Sequence, residues 1–365
     1  MVAKQRIQSV DLLRGITIVA MILVNNPGDW SHIYTPLSHA EWHGLTPTDL
    51  IFPFFLFIVG ISIYYAYKNK QPNTTTYKKI AVRSLKLIGL GLFLKAFIPT
   101  VPFIQDWESI RFMGVLQRIG IVFFISAIMY LNFNWKALSG VVVVILLGYW
   151  LWLGFVPLPS GTMPTFDRAP NNWANYIDFQ VLGTHMWQPD YDPEGLLGTV
   201  SSIATCLLGV LVGKVLDNPI DRKAFILFSI GIILLASGCL FSIWFPINKA
   251  LWSSSFVLVT AGYGTIILSL IYYIVDVKQW HFGGVFKMVG MNAITIYFLS
   301  EFIAKSFYLI PIGEDSNIHN WLYSSVFAHE TLSNKFSSLC YAMVVVLFYL
   351  GLGFYLYRKK VFIKV

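Results

Sequence analysis

Residues 47–67 read PTDLIFPFFLFIVGISIYYAY, and the 18 residues after Asp49 in this stretch carry no charge. A helix needs about 20 predominantly apolar residues to cross a ~30 Å hydrocarbon core, so the stretch reads as a membrane span. Pro47 suits a first helical turn, and Thr46 or Thr48 can cap it. Asp49 falls where the helix dipole favours a negative charge. Working outward, the same criterion picks out nine further segments, near 10–28, 82–100, 112–131, 136–156, 197–215, 223–243, 251–274, 286–307 and 336–357. The composition agrees, with 56% hydrophobic and 12% charged residues among 365, and with 29 Phe, 19 Tyr and 12 Trp. A soluble chain carries about 25% charged residues, and so few cannot coat a globule of this size. A soluble enzyme, a disordered chain and a disulfide-stapled secreted domain are excluded. The expectation is an all-α polytopic membrane protein, one domain over 1–365, with about ten transmembrane helices.

The net charge of +8 follows from topology, and no nucleic-acid partner is expected. With the N-terminus inside, 18 Lys and Arg fall in cytoplasmic segments, among them Lys4, Arg6, Lys86 and Lys364. The other side holds 5, namely Arg111, Arg168, Lys249, Lys305 and Lys335. That bias puts both termini in the cytoplasm. The exterior loops then lie at about 29–46, 157–196 and 308–335, and a loop as long as the second usually carries function. The first span begins close to Met1 with no small-residue cleavage pattern after it, so it is expected to remain as an anchor. Cys206, Cys239 and Cys340 all fall in apolar runs and read as small core residues.

Polar side chains at membrane depth are costly enough to mark function. The first span carries Asp11 and Arg14 at its inner end, an i,i+3 spacing that suits an ion pair. Alternatively, Arg14 helps to hold an anionic group. Asn25 and Asn26 close the same span on the outer side. The segment that follows contains His32, His39 and His43. His39 and His43 have an i,i+4 metal-ligand spacing, but a third ligand is missing and Pro and Gly crowd the segment, so no metal is expected. A histidine here suits a general base. The fourth span carries Gln117 and Arg118, and Arg118, with no charged neighbour in its own helix, needs a partner across helices, Glu301 being one candidate. Lys249 and Trp252 open the eighth span. Asn292 lies near the inner end of the ninth and Glu301 toward its outer end, where Glu301 also has an i,i+4 partner in Lys305.

Several long segments resemble the heparan-α-glucosaminide N-acetyltransferase family. The opening RIQSVDLLRGITIVAMILVNN (6–26) with LSHAEWHGLTPTDLIFPFFLFIVGISI (37–63) carries most of the likeness. RFMGVLQRIGI (111–121), YDPEGLLGTVSSIATCLLGVLVG (191–213), FPINKALWSSSFVLVTAGYG (245–264) and MNAITIYFLSE (291–301) extend it along the chain. The resemblance implies a transmembrane acetyltransferase that takes acetyl from cytosolic acetyl-CoA, as co-substrate, and delivers it outside the cytoplasm. The acceptor would be an amino sugar or another small molecule or glycan. A bacterial relative would sit in the inner membrane, with the lipid bilayer as partner and a homodimer as one candidate assembly. The resemblance puts the active-site histidine at His39 and the active-site asparagine at Asn25.

The bare residues suit that chemistry. Acyl transfer needs a base for the acceptor proton and a donor for the developing oxyanion. His39 can be the base, Asn25 the donor, and Asp49 the group that orients the imidazole. Arg14, Gln117, Arg118, Lys249, Trp252, Asn292 and Glu301 are the candidates for binding acceptor or acetyl-CoA, whose phosphates approach from the basic inner face. An acetyl-His39 intermediate and direct transfer are both open. A solute transporter, a glycan O-acetyltransferase and a non-catalytic scaffold are the rival readings.

Overall fold

The computed structural model describes residues 7–328 and 332–363; the basic residues Lys4, Arg6 and Lys364 of the charge count lie outside them. Helix α1 runs Gln8–Asn25, and a 3-10 turn, Pro47–Leu50, leads into α2, Ile51–Tyr67. Then come α3 Thr74–Ala96, α4 Val115–Asn132, α5 Trp135–Phe155, α6 Trp173–Leu182 and α7 Leu196–Asp217. The second half holds α8 Lys223–Phe241, α9 Ser254–Tyr272, α10 Gly284–Gly290, α11 Ala293–Leu309, α12 Ile318–Leu322 and α13 Asn334–Arg358. The only strands among the described residues are a two-residue antiparallel pair, Pro311–Ile312 with Ser316–Asn317.

Eight helices are long and apolar enough to cross a bilayer: α1, α2, α4, α5, α7, α8, α9 and α13. The two remaining expected spans differ for identifiable reasons. Helix α3 begins at Thr74, eight residues before the expected 82, because Asn73 caps it by accepting from Thr76 N–H at 2.9 Å. It carries five basic residues, Lys78, Lys79, Arg83, Lys86 and Lys95, so its composition is less apolar than a typical span. The ninth expected span is broken at Met291–Asn292 into α10 and the 17-residue α11. Asn292 causes the break by spending its side chain on the C-terminal stretch: Nδ2 donates to Val361 O at 3.0 Å and Oδ1 accepts from Ile363 N–H at 2.9 Å.

Hydrogen bonds sort the connections between helices to two ends of the bundle. At one end, Asp276 caps Gln8 and Ser9, Lys68 meets Asp217, and Asn292 meets Val361. At the other, Gly44 N–H donates to Ile247 O, Arg111 pairs with Asp192, and Trp30 donates to Tyr308. The sheltered centre belongs to α7, which packs on α2, α4, α5 and α9. Its contact with α2 is backbone-close: a Cβ at Gly60 would lie 1.9 Å from Cys206 O, and one at Gly209 would lie 2.0 Å from Phe57 O. Only glycine permits such an approach, the small-residue packing that membrane helices use in place of a hydrophobic drive.

Helix α8 is peripheral and packs mainly on α9, leaving Phe225, Ile232, Ile233 and Leu240 exposed. Cys239 is exposed on the same helix and Cys340 is half-buried, so only Cys206 is the core cysteine that all three were expected to be. Apolar side chains facing outward are what a bilayer accepts and water does not.

Candidate active site

Two connections meet at His39, the loop before α2 that carries Asp49 and the turn before α9 that carries Lys249. His39 lies in an irregular stretch, not on a helix, so the i,i+4 spacing of His39 and His43 never places them on one helical face. His43 is instead bound into the loop, with Nε2 3.0 Å from Asp167 and Nδ1 3.3 Å from Asn248 Nδ2. His32 pairs with Asp29 at 2.6 Å. His39 alone of the three meets a fully buried carboxylate: its Nδ1–H donates to Asp49 Oδ1 at 2.6 Å. The His39 side chain is 49% exposed, while that of Asp49 is 1% exposed.

Asp49 divides its oxygens between two tasks. Oδ2 accepts from Thr46 N–H at 3.0 Å, Thr46 Oγ1–H at 3.0 Å and Ala40 N–H at 3.1 Å, which closes a capping box at the start of α2. Oδ1 is left for His39. The helix-capping role and the site role are therefore held by one side chain. Donation from Nδ1 fixes the tautomer and leaves the lone pair on Nε2, the arrangement a base requires.

Lys249 approaches the same imidazole. Its Nζ is 3.1 Å from both ring nitrogens and 3.9 Å from Asp49 Oδ1. The turn that carries it is tightly tied: Asn248 Oδ1 accepts from Leu251 N–H, Asn248 N–H donates to Ser253 Oγ, and Tyr149 Oη–H donates to Leu251 O. Trp252 in this turn has φ +52°, a left-handed conformation rare for a bulky residue. Its ring is fully buried, donates to Thr205 Oγ1 at 3.0 Å, and lies beneath the Arg118 guanidinium at 5.0 Å.

The partner expected for Arg118 is not Glu301. Arg118 is fully buried, donates from Nη2 to Gly195 O at 2.9 Å and from Nε to Thr199 Oγ1 at 3.2 Å, and lies within electrostatic reach of Glu194 and Asp192. Glu301 instead accepts from Asn25 Nδ2 at 2.9 Å, across α1 and α11. Nor does Glu301 pair with Lys305, whose ammonium donates to the carbonyls of Leu94 and Lys95 at the end of α3. A helix end with unsatisfied carbonyls attracts a cation more directly than a carboxylate one turn away. Gln117 is buried in α4 with no partner for Nε2. Arg14 makes the expected i,i+3 bridge to Asp11 at 3.1 Å and also donates to Ser62 at 2.8 Å, at the opposite end from His39. Asn292 belongs to that end too.

The acidic residues ahead of α7 were missed from the sequence. Asp192 accepts from Arg111 Nε at 2.8 Å, and Glu194 binds the same guanidinium. Burial pushes the Glu194 carboxyl up, but Arg111, Arg118 and Lys249 outweigh it and hold it well below the usual carboxylate range. On α6, Asp178 accepts from Leu196 N–H at 2.8 Å and so caps α7 from a distance. Burial raises the Asp178 carboxyl to about 7. A Cβ at Gly195 would lie 1.8 Å from Asp178 Oδ2, so this close cap depends on glycine. The available signal was the run Asp192-Pro193-Glu194-Gly195 immediately before an apolar span.

Among the described residues, no group of three or more His, Cys, Asp or Glu is gathered to hold a metal. An open groove of about 730 Å³ lies at the far end between α8 and α9, beside Arg222, Phe225 and Tyr273, and contains none of the candidate residues. Volume therefore does not locate this site; the hydrogen bonds around His39 do.

Comparison with known proteins relates the sequence to a family. Residues 6–179 match the family described as heparan-alpha-glucosaminide N-acetyltransferase, catalytic. Along 99% of its length the chain is 31% identical to heparan-alpha-glucosaminide N-acetyltransferase of Homo sapiens and 30% identical to that of Mus musculus. The chain is similar in sequence to heparan-alpha-glucosaminide N-acetyltransferases. It spans 60% of the length of each of these two relatives. The His39–Asp49 pair and the α2 cap lie inside the matched region; the Glu194 and Lys249 segments lie beyond it.

Proposed function

We propose that this membrane acetyltransferase moves acetyl from cytosolic acetyl-CoA to the amine of an amino sugar or glycan on the outer side. The observation that carries the reading is the His39–Asp49 pair, with Nδ1 committed to a buried carboxylate and the His39 side chain half exposed. Asp49 orients the imidazole and His39 accepts the acceptor proton. Asn25, held on Glu301, is the proposed contact for the acetyl carbonyl or the acceptor.

Support for the donor route comes from helix packing. Helices α1, α2, α4, α3 and α11 contact one another in sequence around a closed ring. Arg14 and Ser62 stand at its inner end, Asn25 and Glu301 at its outer end, and the unpartnered Gln117 amide lies on its α4 side. Acetyl-CoA phosphates would bind at the basic inner face and the pantetheine arm would run outward between these helices. Arg83, stacked 4.8 Å over Phe123 with Nε unpartnered, is a second inner cation for the phosphates. The reading includes ten crossings, with α3 and α11 completing the eight, both termini in the cytoplasm, and residence in a bacterial inner membrane. A homodimer is compatible with it.

The test uses purified protein in proteoliposomes, labelled acetyl-CoA on one side and a panel of amino sugars on the other. Labelled N-acetyl product in the acceptor compartment is expected. Accumulation of unmodified sugar without acetyl-CoA would instead identify a transporter, and ester products would identify an O-acetyltransferase.

A further inference from the structure

We infer that Lys249 is a catalytic residue of this site, its ammonium being the donor that holds the oxyanion formed on the acetyl carbonyl. The inference rests on the transferase reading and goes beyond it, because that reading gives the carbonyl to Asn25. The geometry favours the lysine. Asn25 Nδ2 is engaged by Glu301 on α11, and no hydrogen bond joins Asn25 to His39 among the described residues. Lys249 Nζ lies 3.1 Å from His39 Nε2, the atom at which the reaction is organised. Oxyanion donors act at about 2.7–3.1 Å from the developing charge. A tetrahedral centre formed beside Nε2 brings its oxygen into that range of Nζ.

The position of Lys249 is built, not incidental. Its turn is tied by Asn248, Ser253 and Tyr149, and the neighbouring Trp252 is held at positive φ. The charged and titratable groups facing the ammonium come from every side: Asp49 and His39 from the loop before α2, Arg111 and Arg118 from the start of α4, and Glu194 ahead of α7. Asp49 at 3.9 Å is too distant to saturate its hydrogens. Donors therefore remain for a carbonyl oxygen.

In the step, the attacking nitrogen forms a bond to the thioester carbon and the carbonyl π pair moves onto oxygen, where Lys249 N–H receives it. The proton lost by an acceptor amine goes to His39 Nε2. Collapse returns the pair to C=O and breaks C–S, and CoA leaves as the thiolate, taking a proton from His39. Lys249 keeps its own protons throughout.

The test measures CoA release by the reconstituted chain, with glucosamine as probe acceptor, in Lys249→Met, Lys249→Arg and His39→Ala. Loss of one oxyanion donor lowers kcat by about 10²–10³-fold, so Lys249→Met should show that loss with KM for acetyl-CoA nearly unchanged. Burial lowers the Lys249 pKa, so the wild-type rate should fall on the alkaline side as the ammonium is lost. Arginine stays charged, and Lys249→Arg should retain partial turnover with this limb moved to higher pH. A merely structural lysine would not move the limb. Near-normal kcat in Lys249→Met, or an unmoved limb in Lys249→Arg, overturns the inference while His39→Ala is inactive. An active His39→Ala would instead show that the underlying site reading is wrong. If Lys249→Met does not fold, the pH limb of Lys249→Arg decides alone.

Discussion

His39 gives Nδ1 to the buried Asp49 and keeps Nε2 beside Lys249 Nζ at 3.1 Å, and this asymmetry organises the site. General-base catalysis is worth about 10²–10⁴-fold, so His39→Ala should lose that much transfer while keeping its melting temperature and acetyl-CoA binding. His43→Ala should lose far less, since His43 is occupied by Asp167 and Asn248. A different residue carries stability. Arg111→Met leaves the buried carboxylates Asp192 and Glu194 without their main cation, and breaking such a pair costs about 3–5 kcal/mol. Sharply reduced thermal stability in detergent is expected; an unchanged melting temperature would contradict it. Asp49 and Lys249 stood out in the sequence as charged groups beside apolar runs, whereas His39 was singled out from His32 and His43 by the family resemblance. Glu194 and Arg111 did not stand out, because a loop carboxylate looks solvated until tertiary structure buries it.

Between helices, the α2–α7 crossing depends on Gly60 and Gly209. Gly209→Val should disrupt folding, because its Cβ would already meet Phe57 O at 2.0 Å before the rest of the side chain is added. Expression of a stable Gly209→Val protein would show that the helices can separate. The cap of α7 gives a pH effect. Asp178 is raised to about 7 in the folded state, so its neutral form is favoured there. Its stabilising contribution is full below the ordinary carboxylate range and is lost as pH rises through about 7. Melting temperature should therefore decline across that window, and Asp178→Asn should flatten the decline; an equal slope in both proteins would contradict the assignment. Helix boundaries were largely readable, since α5 and α8 match apolar runs almost end to end. The break at Asn292 was not, because a buried asparagine that ties down the C-terminal stretch looks in sequence like any polar residue within a span.

At the scale of the whole chain, the connections sort to two ends, with His39 at one and Arg14 at the other. Ser160→Cys should label from outside and Lys359→Cys only from inside; labelling of both by one impermeant reagent from the same side would rule out the odd number of crossings that this topology requires between them. Membrane class and basic bias were readable because bilayers impose them on composition. The approach of the distant Lys249 turn to the His39 imidazole was not, since it depends on packing that no local pattern encodes. The most direct measurement compares wild type, His39→Ala and His43→Ala for labelled acetyl transfer across proteoliposomes to amino sugars. Transfer by wild type and His43→Ala, and none by a folded His39→Ala that still binds acetyl-CoA, is the predicted result. Undiminished transfer by His39→Ala would contradict the account.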